Sequence, residues 1–186
     1  MRYTLLFLAF CLTATLAVAQ EEMDMEAMMA MTQPDEKHEF LHAFVGEWDY
    51  QSTMWPAPGA PPIESEGTAN IEMNLGGRYL MGTHTGNMMG MPFEGRAVTG
   101  YDKASGRYLS TWIDNFGTGI MMFEGQVEDG KLVLVANYDN PMTGVTEEHK
   151  MVQWAEGDTY TMEYYATPEG GEETLSMRIV STRAGD

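Results

Sequence analysis

The stretch His38–Tyr50, HEFLHAFVGEWDY, can be read in two ways, and the choice decides the fold. Its first five residues spell H-E-x-x-H, the spacing that sets two zinc-ligating histidines on one helical face around a water-activating glutamate. Its end, Gly46 to Tyr50, puts a helix-stopping glycine before an alternating run, which is how a strand begins. The apolar residues Phe40, Leu41, Phe44 and Val45 recur at helical spacing, and Asp35 and Glu36 suit a helix start after Pro34. A short amphipathic helix is therefore expected over residues 34–45, running straight into a strand. A zinc protease would need a third ligand, and the longer H-E-x-x-H-x-x-G-x-x-H pattern is broken, with Val45 where its glycine belongs. We read the helix as a barrel cap, with His38 and His42 kept as metal candidates.

Beyond Gly46 the chain alternates strand-like runs with turn signals. Strands are expected near 47–54, 63–75, 78–86, 92–101, 107–114, 118–127, 131–138, 145–154, 159–166 and 173–182. The breaks between them, such as GG, DKASG, EDGK and EGD, are short and rich in Gly, Asp and Asn, as hairpins require. No gap has room for a crossover helix, so neighbouring strands must pair antiparallel. The expected fold is all-β, an up-and-down barrel of about ten strands closed to remove sticky edges, with a two-sheet sandwich as the alternative.

The N-terminus reads differently. Arg2, an apolar run and Ala17-Val18-Ala19 form a signal-peptide pattern over residues 1–19, too short and wrongly flanked for a membrane span. Residues 20–33 are a Met- and acid-rich leader expected to be flexible, and residues 34–186 are one barrel domain. The expected location is outside the cytoplasm, periplasmic or secreted through the Sec pathway. The single cysteine, Cys11, falls in the signal, so the mature chain has no disulfide. With 28 acidic against 10 basic residues the formal net charge is −18. That surface repels phosphate backbones and anionic lipid, so nucleic acid is not an expected partner.

Alternation also nominates an interior. Tyr108, Ser110, Trp112 and Asp114 share one face of RYLSTWID, and Tyr160, Met162 and Tyr164 share one face of TYTMEYYA. Glu147, His149 and Met151 do the same on the strand 145–154. Such mixed aromatic and polar faces suit a cavity for a small amphipathic molecule. Candidate ligand-binding residues are Arg78, His84, Arg96, Trp112, His149 and Tyr164, the two arginines as anchors for a carboxylate if they face inward. The chain has 18 methionines. They cluster in the leader and at Met88, Met89 and Met91, thioethers that suit Cu(I), or else adaptable apolar lining.

The strings HEFLHAFVGEWDY, LGGRYLMG (Leu75–Gly82), FEGRAVTGYDKASGRYLSTWID (Phe93–Asp114) and FEGQVEDGKLVL (Phe123–Leu134) resemble the bacterial family called domain of unknown function 1579. The resemblance runs from about Asp35 to Arg183. It implies a lipocalin-like, calycin-type barrel, Gly46-x-Trp48 matching the Gly-x-Trp that opens lipocalin barrels, and it implies no activity. The neighbouring nitrobindins are similar in having ten strands and carry haem on a histidine near the C-terminus. Here the last histidine is His149, so no haem-ligand role carries over and no cofactor is expected. The expected function is binding of a small apolar or amphipathic ligand, with no residue assigned to catalysis. The alternatives are a metal-binding protein (copper at the methionines or zinc at the helix), a hydrolase, or a structural or interaction protein of the cell envelope.

Overall fold

The computed structural model describes residues 25–57, 59–139 and 144–185. The signal-peptide pattern and the leader through residue 24, including Met23, lie outside the described residues. Residues 25–32 are helical (α1) and exposed throughout. No described helix is long and apolar enough to cross a membrane. Asp35–Asp186 form a separate compact unit. It starts with α2 (Glu36–Phe40), continues as a 3₁₀ turn (Leu41–Phe44), and then gives only strands.

Ten strands follow: β1 (Gly46–Met54), β2 (Ile63–Asn74), β3 (Tyr79–Met88), β4 (Met91–Asp102), β5 (Arg107–Asp114), β6 (Met121–Glu128), β7 (Lys131–Asp139), β8 (Thr146–Glu156), β9 (Thr159–Pro168) and β10 (Thr174–Arg183). Each pairs antiparallel with its chain neighbours, and β1 also pairs β10, from Trp48 opposite Arg183 to Met54 opposite Met177. The barrel is closed, so every edge is paired and the sandwich alternative falls. The largest departure from the expected strands is β6, which starts at Met121 instead of 118. Asp114 explains it: its Oδ1 accepts the amides of Phe116 and Gly117 at 2.9 and 3.0 Å, winding the chain into a turn.

Tight hairpins fix the register. Met89-Gly90 and Asp129-Gly130 both take positive φ at their two residues (53° and 81°, 47° and 76°), the backbone of a type I′ turn. Methionine is a poor choice for the first of these positions. Met89→Asn is expected to stabilise the protein by about 1 kcal/mol, because asparagine tolerates the left-handed region better. Calorimetry should show Tm rising by about 2–4 °C, and an unchanged or lower Tm would refute the assignment of strain to that turn.

The connections β2–β3, β4–β5, β6–β7 and β8–β9 lie at one end of the barrel, and α2 with its 3₁₀ turn closes that end. The Trp48 indole donates to the Phe44 carbonyl at 3.0 Å, and the Tyr108 hydroxyl donates to the Lys37 carbonyl at 2.8 Å. Phe44 packs edge-on to Tyr160. The largest fully buried side chains, Trp48, Tyr108, Phe44, Leu41, Leu132 and Leu134, all belong to this half. The barrel is solid beneath the helix. Its other half is not.

Candidate functional site

Towards the opposite end, where β1–β2, β3–β4, β5–β6, β7–β8 and β9–β10 connect, the inward side chains leave a cavity of about 320 Å³. That lies at the lower end of the range for small-molecule sites, roughly 300–1,000 Å³. Small residues make the room: Ser52, Ser65, Ala97, Thr99 and Ser110 line it where larger side chains would meet across the barrel. Six methionines (Met54, Met88, Met121, Met151, Met162 and Met177) and a set of aromatic rings supply an apolar, adaptable wall.

One wall is built around Trp112. Its indole donates to Asp114 Oδ2 at 2.7 Å, its ring stacks with Phe93 at 6.2 Å, and His84 meets it edge-on at 5.2 Å. Gly95 permits this placement, since a Cβ there would run into the Trp112 ring. Burial drives the His84 imidazole down to about 4, so the ring is neutral at pH 7.

The facing wall, on β7, β8 and β9, is polar and aromatic. The Tyr138 and Tyr164 hydroxyls bond each other at 2.5 Å. His149 lies flat against Tyr138, ring centroids 3.8 Å apart, with Tyr164 on its other side at 5.5 Å. His149 is 5% exposed, and neither ring nitrogen has a hydrogen bond. Its nearest charged neighbour is Glu147 Oε2, 3.8 Å from Nε2, beyond hydrogen-bond reach. Burial lowers the His149 pKa, against the opposing pull of Glu147. Burial raises the Tyr138 hydroxyl, with the Glu147 and Asp114 charges adding to it and the Tyr164 hydrogen bond opposing it.

Of the six nominated residues, His84, Trp112 and Tyr164 line the cavity, and His149 is buried beside it against Tyr138 and Tyr164. Arg78 and Arg96 are not brought to the cavity, a correction to their assignment as anchors. Arg96 falls between the inward residues Gly95 and Ala97, so strand alternation turns it outward to pair with Glu94 at 2.8 Å. Arg78 belongs to the β2–β3 turn at the helix end, where its guanidinium donates to the Leu75 carbonyl at 3.0 Å. Asp114 lines the cavity from the face that alternation had turned inward, and Tyr50 and Tyr138 line it without having been nominated. The same alternation applied to KLVLVANYD would have found Tyr138.

The metal candidates are dispersed. His38 is buried and closes a capping box with Asp35, its Nδ1 2.9 Å from Asp35 Oδ1. Although burial opposes it, hydrogen bonds from His38, Lys103 and the Lys37 amide hold the Asp35 carboxyl down at about 2. His42, in the 3₁₀ turn, is half exposed and 3.9 Å from Glu39. Met88 lines the cavity, whereas Met89 and Met91 are exposed on the hairpin. Among the described residues, no group of three or more His, Cys, Asp or Glu side chains converges as a metal ion requires.

A closed, ten-stranded antiparallel barrel, helix-capped at one end and hollow towards the other, defines a calycin-type protein. The chain belongs to the family described as protein of unknown function (DUF1579), whose model matches residues 33–183. Among solved structures it is similar to that of Rv2717c from M. tuberculosis, with a TM-score of 0.56 and 14% identity. That match covers 82% of this chain and 100% of the other, and at such identity it speaks for the fold alone. No curated protein matches.

Proposed function

We propose that this protein is an exported binding barrel that holds a small apolar or amphipathic molecule in the cavity between the Trp112 and Tyr138 walls. The observation that carries this reading is the contrast within one barrel: a filled half beneath the helix and a half of about 320 Å³ left open by small side chains. Space left unfilled forfeits the side-chain contacts that hold the other half together, a cost that a bound molecule would offset. Export rests on the signal-peptide pattern of residues 1–19.

The neutral fluorophore N-phenyl-1-naphthylamine provides a test. It is expected to bind saturably at one site with blue-shifted emission and to quench Trp112. Ala97→Phe, which fills the cavity from β4, is expected to weaken binding by about tenfold or more while the melting transition stays cooperative. Absence of saturable binding to the parent protein, or unchanged affinity in the filled variant, would sink the proposal.

A further inference from the structure

Among the described residues, the charges on the cavity side of the barrel wall are acidic. Asp114 lines it, and Glu147 stands directly opposite Tyr138 in the β7–β8 register. Among the described residues, no lysine or arginine lines it. Arg183 lies at the capped end over Trp48 and Lys131 lies over Trp154, and the other basic side chains of the surrounding strands engage partners outside the cavity. Arg96 pairs with Glu94, Arg107 with Glu124, Arg178 with Glu163, and Lys150 with Glu173. A ligand carboxylate would therefore meet the Asp114 charge in the lining and the field of Glu147 beside Tyr138, with no counter-ion among the described lining residues.

Resting on the binding reading above, we infer that the ligand carries a protonated amine, or another cationic hydrogen-bond donor, on an apolar body, with the cationic head held at the Tyr138–Glu147–His149 wall. Three independent features favour that chemistry. The Glu147 side chain is 13% exposed, so its charge acts through little water. His149, on the same inward face of β8 as the cavity-lining Met151 and Gln153, has two buried ring nitrogens with no hydrogen bond, an unmet polar demand at this wall. The aromatic rings of Tyr138, Trp112 and Phe93 line the same end of the barrel and can attract a cation through whatever π surface their mutual stacking leaves to the cavity. Asp114 contributes field more than contact, since its oxygens already accept from the Trp112 indole and from the amides of Phe116 and Gly117. The acidic coat of the protein, net charge −18, attracts the same class of molecule from solution. Lowering of the His149 pKa by burial agrees with this picture, because a neutral imidazole keeps a lone pair for a donor.

Three probes sharing one tail separate the head group from the cavity: octylammonium, octan-1-ol and octanoate, each titrated calorimetrically at pH 7, the ions below their micelle concentrations and the alcohol below its solubility limit. Octylammonium is expected to bind about tenfold or more tighter than octanol, with octanoate the weakest. In Glu147→Gln, octylammonium should fall to within about threefold of octanol, and octanol affinity, which also reports an intact fold, should not change. Octanoate equalling or exceeding octylammonium would overturn the head-group assignment while leaving the cavity reading standing. So would an ammonium preference that survives Glu147→Gln. Failure of all three tails to bind would overturn the cavity reading itself and this inference with it.

Discussion

Trp48→Ala is expected to remove about 3–5 kcal/mol of stability, a large part of the roughly 5–15 kcal/mol that holds a domain folded. Three separate losses combine. The indole is 1% exposed, so alanine leaves a void in the solid half of the barrel. The Phe44 carbonyl at the end of the 3₁₀ turn loses its donor, Trp48 Nε1 at 3.0 Å, and becomes a buried orphan. The Arg183 guanidinium, 4.5 Å over the Trp48 ring, loses the face it stacks on. Arg183 also donates to the Val45 carbonyl at 3.1 Å, so the change loosens the junction of helix, β1 and β10 together. Trp48→Phe keeps most of the packing and loses the hydrogen bond, so its cost should be about 1–3 kcal/mol. Urea unfolding of the two variants checks both magnitudes. If they fall together, the hydrogen bond to Phe44 is not what distinguishes tryptophan here.

The same junction explains why Gly46-x-Trp48 could be read from the sequence at all. Gly46 takes φ +153°, and a Cβ there would collide with the Arg183 guanidinium. Part of that constraint is local, the positive φ of Gly46 and the bond from Trp48 to the Phe44 carbonyl four residues earlier, and local constraints are what a sequence displays. The strands were legible for a related reason: short hairpin turns fix the register, and register fixes which side chains point inward. That parity turns Trp112 and Tyr164 toward the cavity they line, and it turns Arg96 outward, between Gly95 and Ala97. The arginines were candidate anchors only on the condition of facing inward, and Arg96, paired with Glu94, does not meet it. H-E-x-x-H misleads for a physical reason too, since α2 lasts only from Glu36 to Phe40 and His38 is spent on capping its first turn.

Whether the barrel is hollow was beyond the sequence. It depends on side chains from opposite walls meeting or failing to meet, as Leu132 and Leu134 fill one half while Ala97 and Ser110 leave space in the other. The unpaired nitrogens of His149 were hidden similarly, because only the folded chain shows that Tyr138 and Tyr164 cover the ring without bonding to it.

Acid should weaken this protein well above the range where carboxylates titrate. His84 has an unfolded pKa near 6.5 and is held at about 4 by burial in the fold. Between those values the unfolded chain binds a proton that the native ring refuses, so lowering the pH favours unfolding. The contribution is absent above about pH 6.5, grows at about 1.4 kcal/mol per pH unit, and saturates near pH 4 at about 3 kcal/mol. His149, also lowered, acts in the same direction. The Asp35 carboxyl, held at about 2, loses its own stabilising contribution only below the ordinary carboxyl value of 3.8, under most of the window. Urea unfolding at pH 7, 6 and 5 should therefore show stability falling by about 2 kcal/mol or more. His84→Phe, which keeps a ring between Tyr50 and Trp112, should remove most of that slope, and His149→Phe should remove only the remainder. A parent protein equally stable at pH 7 and pH 5, or a His84→Phe variant with the full slope, would show that solvent reaches His84 and that the Trp112 wall is wetter than its geometry indicates.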